Sequence, residues 1–167
     1  MGTAGVLLRR IRSIVRSEPT GFVWVERGRL AASGYPASRQ QLAWAKKMGI
    51  GSVLTLTEEP LPSDWFVGLG MNAIHVPMED HRPPSVQSLE AAVSRLEEEL
   101  GAGRAVLVHC LAGVGRTMCV VSAYLIKSRR MTAAEALGFV RRIKPGSVER
   151  SQEDSLMKYE AWVRSCG

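Results

Sequence analysis

The sequence predicts an α/β fold: one domain built on a central, mainly parallel twisted sheet flanked by helices. Three observations carry this. Short runs of aliphatic and β-branched residues, Val53-Leu54-Thr55-Leu56-Thr57, Ala73-Ile74-His75-Val76 and Val106-Leu107-Val108, alternate with longer segments of helical period. That order places parallel strands between crossover helices. The 167 residues suffice for one sizeable core and are too few to divide comfortably into two. No internal repeat, low-complexity tract or interdomain linker breaks the chain.

Composition narrows the class. Hydrophobic residues make up 46% and charged residues 23%, an ordinary globular balance, and no apolar run approaches the roughly 18 residues of a membrane-spanning helix. A soluble protein is expected. The net charge of +6 favours anionic ligands. Without a lysine-rich tail or aromatics interleaved to stack bases, nucleic acid is not the expected partner and phosphorylated ligands are. Cys110, Cys119 and Cys166 are odd in number and lack the spacing of a disulfide framework, so a reducing, cytoplasmic setting is expected.

In chain order, residues 1–20 read as a basic amphipathic N-terminal segment and 21–167 as the domain proper. Val6, Leu7, Leu8, Ile11, Ile14 and Val15 fall on one side at helical spacing, among Arg9, Arg10, Arg12 and Arg16. An accessory helix laid on the domain, or a frayed tail, is preferred; membrane-surface contact or organelle targeting is the alternative. Val6-Leu7-Leu8 is too short for a secretory core, and Val6 stands where a myristoylation site needs Ser or Thr.

Phe22 to Ala31 reads as two short strands turning at Arg27-Gly28, with Trp24 packed on the core. Ser38 with Gln41 has the chemistry to cap a helix carrying Leu42, Ala45 and Met48, which Gly49 ends. The strand over 53–57 leads into Glu58-Glu59-Pro60, a loop where solvated carboxylates are the plain expectation. After the strand over 73–76 come a loop stiffened by Pro83 and Pro84 and a helix from about Ser85 to Leu100. Beyond the strand over 106–108, a buried helix runs from Met118 to about Ser128. Thr132 and Glu135 form a capping box for a helix reaching Ile143, and Ser151 with Asp154 caps the last one.

The stretch from Val106 to Thr117 organises the function. Its strand, small-residue turn and helix place the backbone N–H groups from Leu111 to Arg116, through Ala112, Gly113, Val114 and Gly115, where a helix N-terminus attracts an anion. The same field favours a thiolate at Cys110, since helix N-termini and neighbouring cations lower a thiol pKa from its usual ~8.5. Arg116 offers a planar fork that grips two phosphate oxygens at once. A nucleotide P-loop is the other glycine-rich turn of this kind, but Arg116 replaces its lysine and Cys110 its first glycine.

His109-Cys110-x-x-Gly113-x-x-Arg116-Thr117 resembles the H-C-x-x-G-x-x-R-[ST] signature of cysteine-dependent protein tyrosine phosphatases, in particular the small atypical dual-specificity branch. Resemblance continues through Phe22-Val23-Trp24-Val25, Gly28-Arg29-Leu30-Ala31, Lys144-Pro145-Gly146-Ser147-Val148-Glu149 and Gln152, nearly the whole chain. It implies the family fold and hydrolysis of phosphate monoesters through a cysteinyl-phosphate, with no metal and no cofactor.

The resemblance also implies roles. Cys110 is the nucleophile, Arg116 and the loop amides hold phosphate, and His109 supports the loop. Asp80, on the loop before the Ser85 helix, is the proton donor, with Glu79 as the rival. Gln152 orients the hydrolytic water, and the Thr117 hydroxyl eases thiolate departure. His75, His81 and Arg150 look incidental. Cys119 is expected to pack in the core, with trapping of an oxidised Cys110 as the alternative. Met118 stands where the family usually has glycine, which puts packing behind the loop in question.

The apolar loop residues Leu111, Ala112 and Val114, where inositol-phosphate members carry basic ones, favour phosphotyrosine and phosphoserine or phosphothreonine on proteins, handled by a monomer. A phosphoinositide, a phospholipid or an RNA 5′ end is the alternative substrate. A phosphate-binding module without turnover and a rhodanese-like sulfur carrier are different classes. The second would have no need of Asp80.

Overall fold

The computed structural model describes residues 17–167, so positions 1–16 of the amphipathic segment read over 1–20 lie outside the described residues. Five strands form one sheet: β1 (Val23–Glu26), β2 (Leu30–Ser33), β3 (Ile50–Thr55), β4 (Asn72–His75) and β5 (Ala105–His109). Their order across the sheet is β1-β2-β5-β3-β4. β2, β5, β3 and β4 run parallel, and β1 joins β2 antiparallel as an edge hairpin. The helices are α1 (Arg39–Lys47), α2 (Val86–Gly101), α3 (Arg116–Ser128), α4 (Ala133–Ile143) and α5 (Arg150–Cys166), with a short 3-10 turn at Ser63–Phe66.

Alternation along the strands sorts side chains into two layers, because successive residues of a strand point to opposite faces. Leu30, Ala32, Leu54, Val106 and Val108 face a large core shared with helices α2 to α5, whereas Ala31, Val53, Ala105 and Leu107 face a smaller one with Leu42 and Ala45 of α1. A sheet covered on both faces explains why the strands read as continuous apolar runs. A fully buried leucine contributes roughly 1.5–3 kcal/mol, so these contacts, and not the loops, hold the sheet together.

Several boundaries differ from the sequence reading, each for a tertiary reason. β3 starts at Ile50 because Ile50 pairs with Ala105, and β5 reaches His109 because Thr55 pairs with it. Ser38 is the N-cap of α1, but its side chain caps nothing; Gln41 Oε1 instead accepts the Ala37 N–H at 2.8 Å. α3 begins at Arg116 itself. The expected cap by Ser151 and Asp154 is replaced: Glu149 is the N-cap of α5. The cause is Val148, whose N–H donates to Val114 O at 2.9 Å in a left-handed turn (φ 61°), ending the preceding segment one residue before Glu149. The Thr132–Glu135 capping box forms as read.

Met118 is fully buried in the larger core, so the residue replacing the usual glycine is accommodated as a hydrophobic contact. Cys119 packs in the same core, and burial pushes its thiol up to about 12, so it stays protonated and inert at neutral pH. Among the described residues no helix is long and apolar enough to cross a membrane.

Candidate active site

In a parallel sheet with helices on both faces, ligands bind beyond the carboxyl ends of the strands. Here β5 is central between β2 and β3, and the loop after it is fastened to the ends of both neighbours. Tyr35 N–H, just past β2, donates to Leu111 O at 2.9 Å, and Leu56 N–H, just past β3, donates to His109 O at 3.0 Å. Val148 secures Val114 from the third side. Gly113 has φ 74° and sits against Ser33 and Gly34, so any Cβ there would collide with the Ser33 carbonyl. Both the conformation and the contact require glycine.

Within this loop Cys110 is buried at the strand end, and the Gly113 N–H donates to its Sγ at 3.2 Å. Leu111 and Ala112 form the exposed lip, with Leu111 62% accessible. Gly115 precedes α3 as its N-cap, so the amides of the turn lie at that helix's N-terminus, where orphan donors favour negative charge.

His109 supports the loop from below. Its Nδ1 lies 3.1 Å from Cys110 O, and its Nε2 lies 2.8 Å from Thr55 Oγ1. A carbonyl can only accept, so Nδ1 carries the proton and Nε2 accepts from the threonine hydroxyl. Burial lowers the imidazole to about 4, leaving it neutral. Tyr35 packs edge-on against the ring.

Arg116 is 2% exposed, and its surroundings hold the residue that sequence reasoning passed over. Its Nη1 donates to Glu58 Oε2 and to Met78 O, each at 3.0 Å, and its Nη2 lies 3.2 Å from Asp80 Oδ1. Glu58 also accepts the Asp80 N–H at 3.0 Å. Its own backbone N–H, that of Asp80 and the guanidinium lower its pKa. The available signal was position: Glu58 follows a buried strand at the sheet's carboxyl edge. Arg116 Nε is buried with no hydrogen-bond partner among the described residues, so its N–H is left for an anion.

The two candidate acids separate cleanly. Asp80 faces Arg116, whereas Glu79 pairs with Arg82 at 2.8 Å on the surface. Gln152 is buried; its Oε1 accepts the Glu149 N–H at 3.0 Å, and its amide stands against Gly115. Thr117 Oγ1 is buried and has no hydrogen-bond partner among the described residues. His81, which looked incidental, lies 2.8 Å from Glu149 through Nδ1; Arg150 is exposed. Half-buried Lys144 donates to Gly21 O at 2.9 Å, its pKa lowered by burial and held up by nearby Cys110. Among the described residues no cluster of His, Cys, Asp and Glu is arranged to hold a metal ion.

A buried cysteine inside an amide-lined turn, closed by an arginine and faced by a carboxylate, defines the class of cysteine-dependent phosphatases. A family model for the Swiss Army Knife protein DSP-PTPase phosphatase domain matches residues 19–157, and the chain belongs to that dual-specificity and tyrosine phosphatase family. It is 37% identical over 111 residues to the phosphatidylglycerophosphate phosphatase PTPMT2 of Arabidopsis thaliana, covering 64% of this chain and 49% of that protein. With dual specificity protein phosphatase 12 of Mus musculus it shares 35% identity over 118 residues, 70% of this chain and 35% of the other. The chain therefore spans about half, or less, of the length of these curated relatives. Among solved structures, Tk-PTP in its active form superposes with a TM-score of 0.76 at 33% identity, covering 84% of this chain and 96% of that one.

Proposed function

We propose that this chain hydrolyses phosphate monoesters on proteins, at phosphotyrosine and at phosphoserine or phosphothreonine, through a cysteinyl-phosphate. The observations that support the reaction are Cys110 Sγ accepting the Gly113 N–H at 3.2 Å at the start of the loop, and Arg116 at the loop's end with the Asp80 carboxylate 3.2 Å from its Nη2. In the first step the Cys110 thiolate attacks phosphorus in line. The S–P bond forms, the ester P–O bond breaks, and Asp80 passes its proton to the leaving oxygen. Loop amides and Arg116 stabilise the equatorial oxygens. In the second step Asp80 takes a proton from water oriented by Gln152, the new P–O bond forms, and the S–P bond breaks to release phosphate. The Thr117 hydroxyl, buried and without a hydrogen-bond partner among the described residues, is the donor we assign to the departing sulfur. A reducing compartment such as the cytoplasm suits this thiolate chemistry.

A second substrate reading has its own support. The relative at 37% identity is a phosphatidylglycerophosphate phosphatase, and the chain joins the domain beside the phosphate loop. Thr20 O accepts the Gly34 N–H at 2.8 Å, next to the Tyr35–Leu111 bond, so residue 20 is held beside the phosphate loop. Release of phosphate from an aryl phosphate in EDTA tests the chemistry, with Cys110→Ser and Asp80→Asn as controls. Activity that survives Cys110→Ser overturns it. Comparison of kcat/KM on phosphopeptides and on phosphatidylglycerophosphate in mixed micelles decides the substrate; a higher value on the lipid overturns the protein reading.

A further inference from the structure

The loop carrying Asp80 is tied to a distant part of the chain by the next residue. His81 has φ 56°, a region seldom used by residues other than glycine, and its N–H donates to Asp80 Oδ1 at 3.0 Å. The turn aims the imidazole across 68 residues of sequence, setting Nδ1 2.8 Å from Glu149 Oε1 and Nε2 3.6 Å from Asp80 Oδ2. Glu149 is the N-cap of α5, and its N–H holds the Oε1 of Gln152, whose amide abuts Gly115. One residue, Glu149, thus grips the acid loop with its side chain and the buried glutamine with its backbone.

We propose that His81 is a positioning residue, a latch through Glu149 that holds the Asp80 loop over the phosphate loop in register with Gln152. The inference rests on the reading of Asp80 and Gln152 as proton donor and water guide. A latch of this kind matters most where proton transfer limits the step, because a donor must stay within hydrogen-bond reach of the leaving oxygen. The charged groups facing the imidazole are Glu149 and Asp80, which favour its protonated form, and Arg116, which opposes it; the balance raises its pKa. The charged latch therefore holds in acid and weakens as pH rises through that raised value. Because His81 is exposed, its replacement leaves the core untouched.

The test compares wild type with His81→Asn, which tolerates the left-handed backbone but lacks the reach and charge, and with His81→Ala. Two aryl phosphates are used: phenyl phosphate, whose leaving group needs a proton, and p-nitrophenyl phosphate, whose leaving group needs it far less. Both variants should lose about tenfold in kcat on phenyl phosphate with little change in KM, and distinctly less on p-nitrophenyl phosphate. The alkaline fall of wild-type kcat/KM should flatten. Equal losses on the two substrates, or none, would overturn the latch. Hydrogen exchange of residues 78–84 supplies a readout independent of turnover. Faster exchange in the variants supports the latch even if wild type releases no phosphate, an outcome that sinks the hydrolytic reading alone; unchanged exchange overturns the latch whatever the activity.

Discussion

Arg116 and Glu58 lie 58 positions apart in the chain and meet at 3.0 Å, one a guanidinium 2% exposed and the other a carboxylate 55% exposed. The pair joins the N-terminus of α3 to the end of β3. It also reaches the acid loop, because Glu58 accepts the Asp80 N–H. A buried guanidinium needs its donors satisfied and its plane fixed, and Glu58 contributes one of these bonds from the solvent side, beside Met78 O and Asp80.

Replacing Glu58 with Gln should therefore weaken the hold on Arg116 without emptying the core. We expect kcat/KM on an aryl phosphate to fall by about tenfold, roughly the worth of one charge-assisted hydrogen bond, with a melting temperature close to wild type. Unchanged kinetics would reduce Glu58 to the solvated loop carboxylate that the sequence suggests.

Arg116→Lys keeps the charge and removes the fork. Loss of one preorganised oxyanion donor costs about 10²–10³ in kcat, and a lysine cannot serve Glu58, Met78 O and a phosphate in one plane. Steady-state kinetics should show a loss of that order; near-normal turnover would mean the loop is wrongly assigned.

The acid loop offers a paired comparison. Asp80→Asn should lower kcat on phenyl phosphate by about 10²–10⁴, the usual worth of a general acid. Glu79→Gln should change it little, because Glu79 pairs with Arg82 at the surface. A reversal of these two results would move the proton donor to Glu79.

Two buried groups contribute to acid stability in separate pH ranges. His109 is lowered to about 4 from 6.5, so below 6.5 the unfolded chain binds a proton that the folded one refuses. Stability should decline as pH falls from 6.5 toward 4. Glu99 is lowered to about 2 from 4.5 by Arg104, Ser52 and Asn72. Its contribution is complete above 4.5 and is lost as pH falls toward 2. Urea denaturation between pH 7 and 3 should show both declines, and Glu99→Gln should remove the lower one. A ring titration of His109 near 6.5 by NMR would contradict the upper one.

Much of the fold was legible because its signals are local. Apolar runs marked β3, β4 and β5, and Thr132 with Glu135 marked the start of α4, since strand alternation and capping chemistry act within a few residues. The ends of elements were less legible. Ile50 joins β3 only because Ala105 stands opposite, and α5 starts at Arg150 only because Val148 is bonded to Val114.

The amino-acid sequence by itself determined the α/β class, the strand–loop–helix around Cys110 and Arg116, and the presence of a carboxylate before α2, because these depend on residue type and short spacing. Tertiary structure set Asp80 against Arg116 and Glu79 against Arg82, turned Gln152 inward, left Thr117 Oγ1 without a hydrogen-bond partner among the described residues, and brought in Glu58 and the His81–Glu149 pair. Those choices depend on which groups meet across 58 and 68 residues. Such meetings are set by sheet order and by the angles at which loops leave it, and no local spacing encodes either.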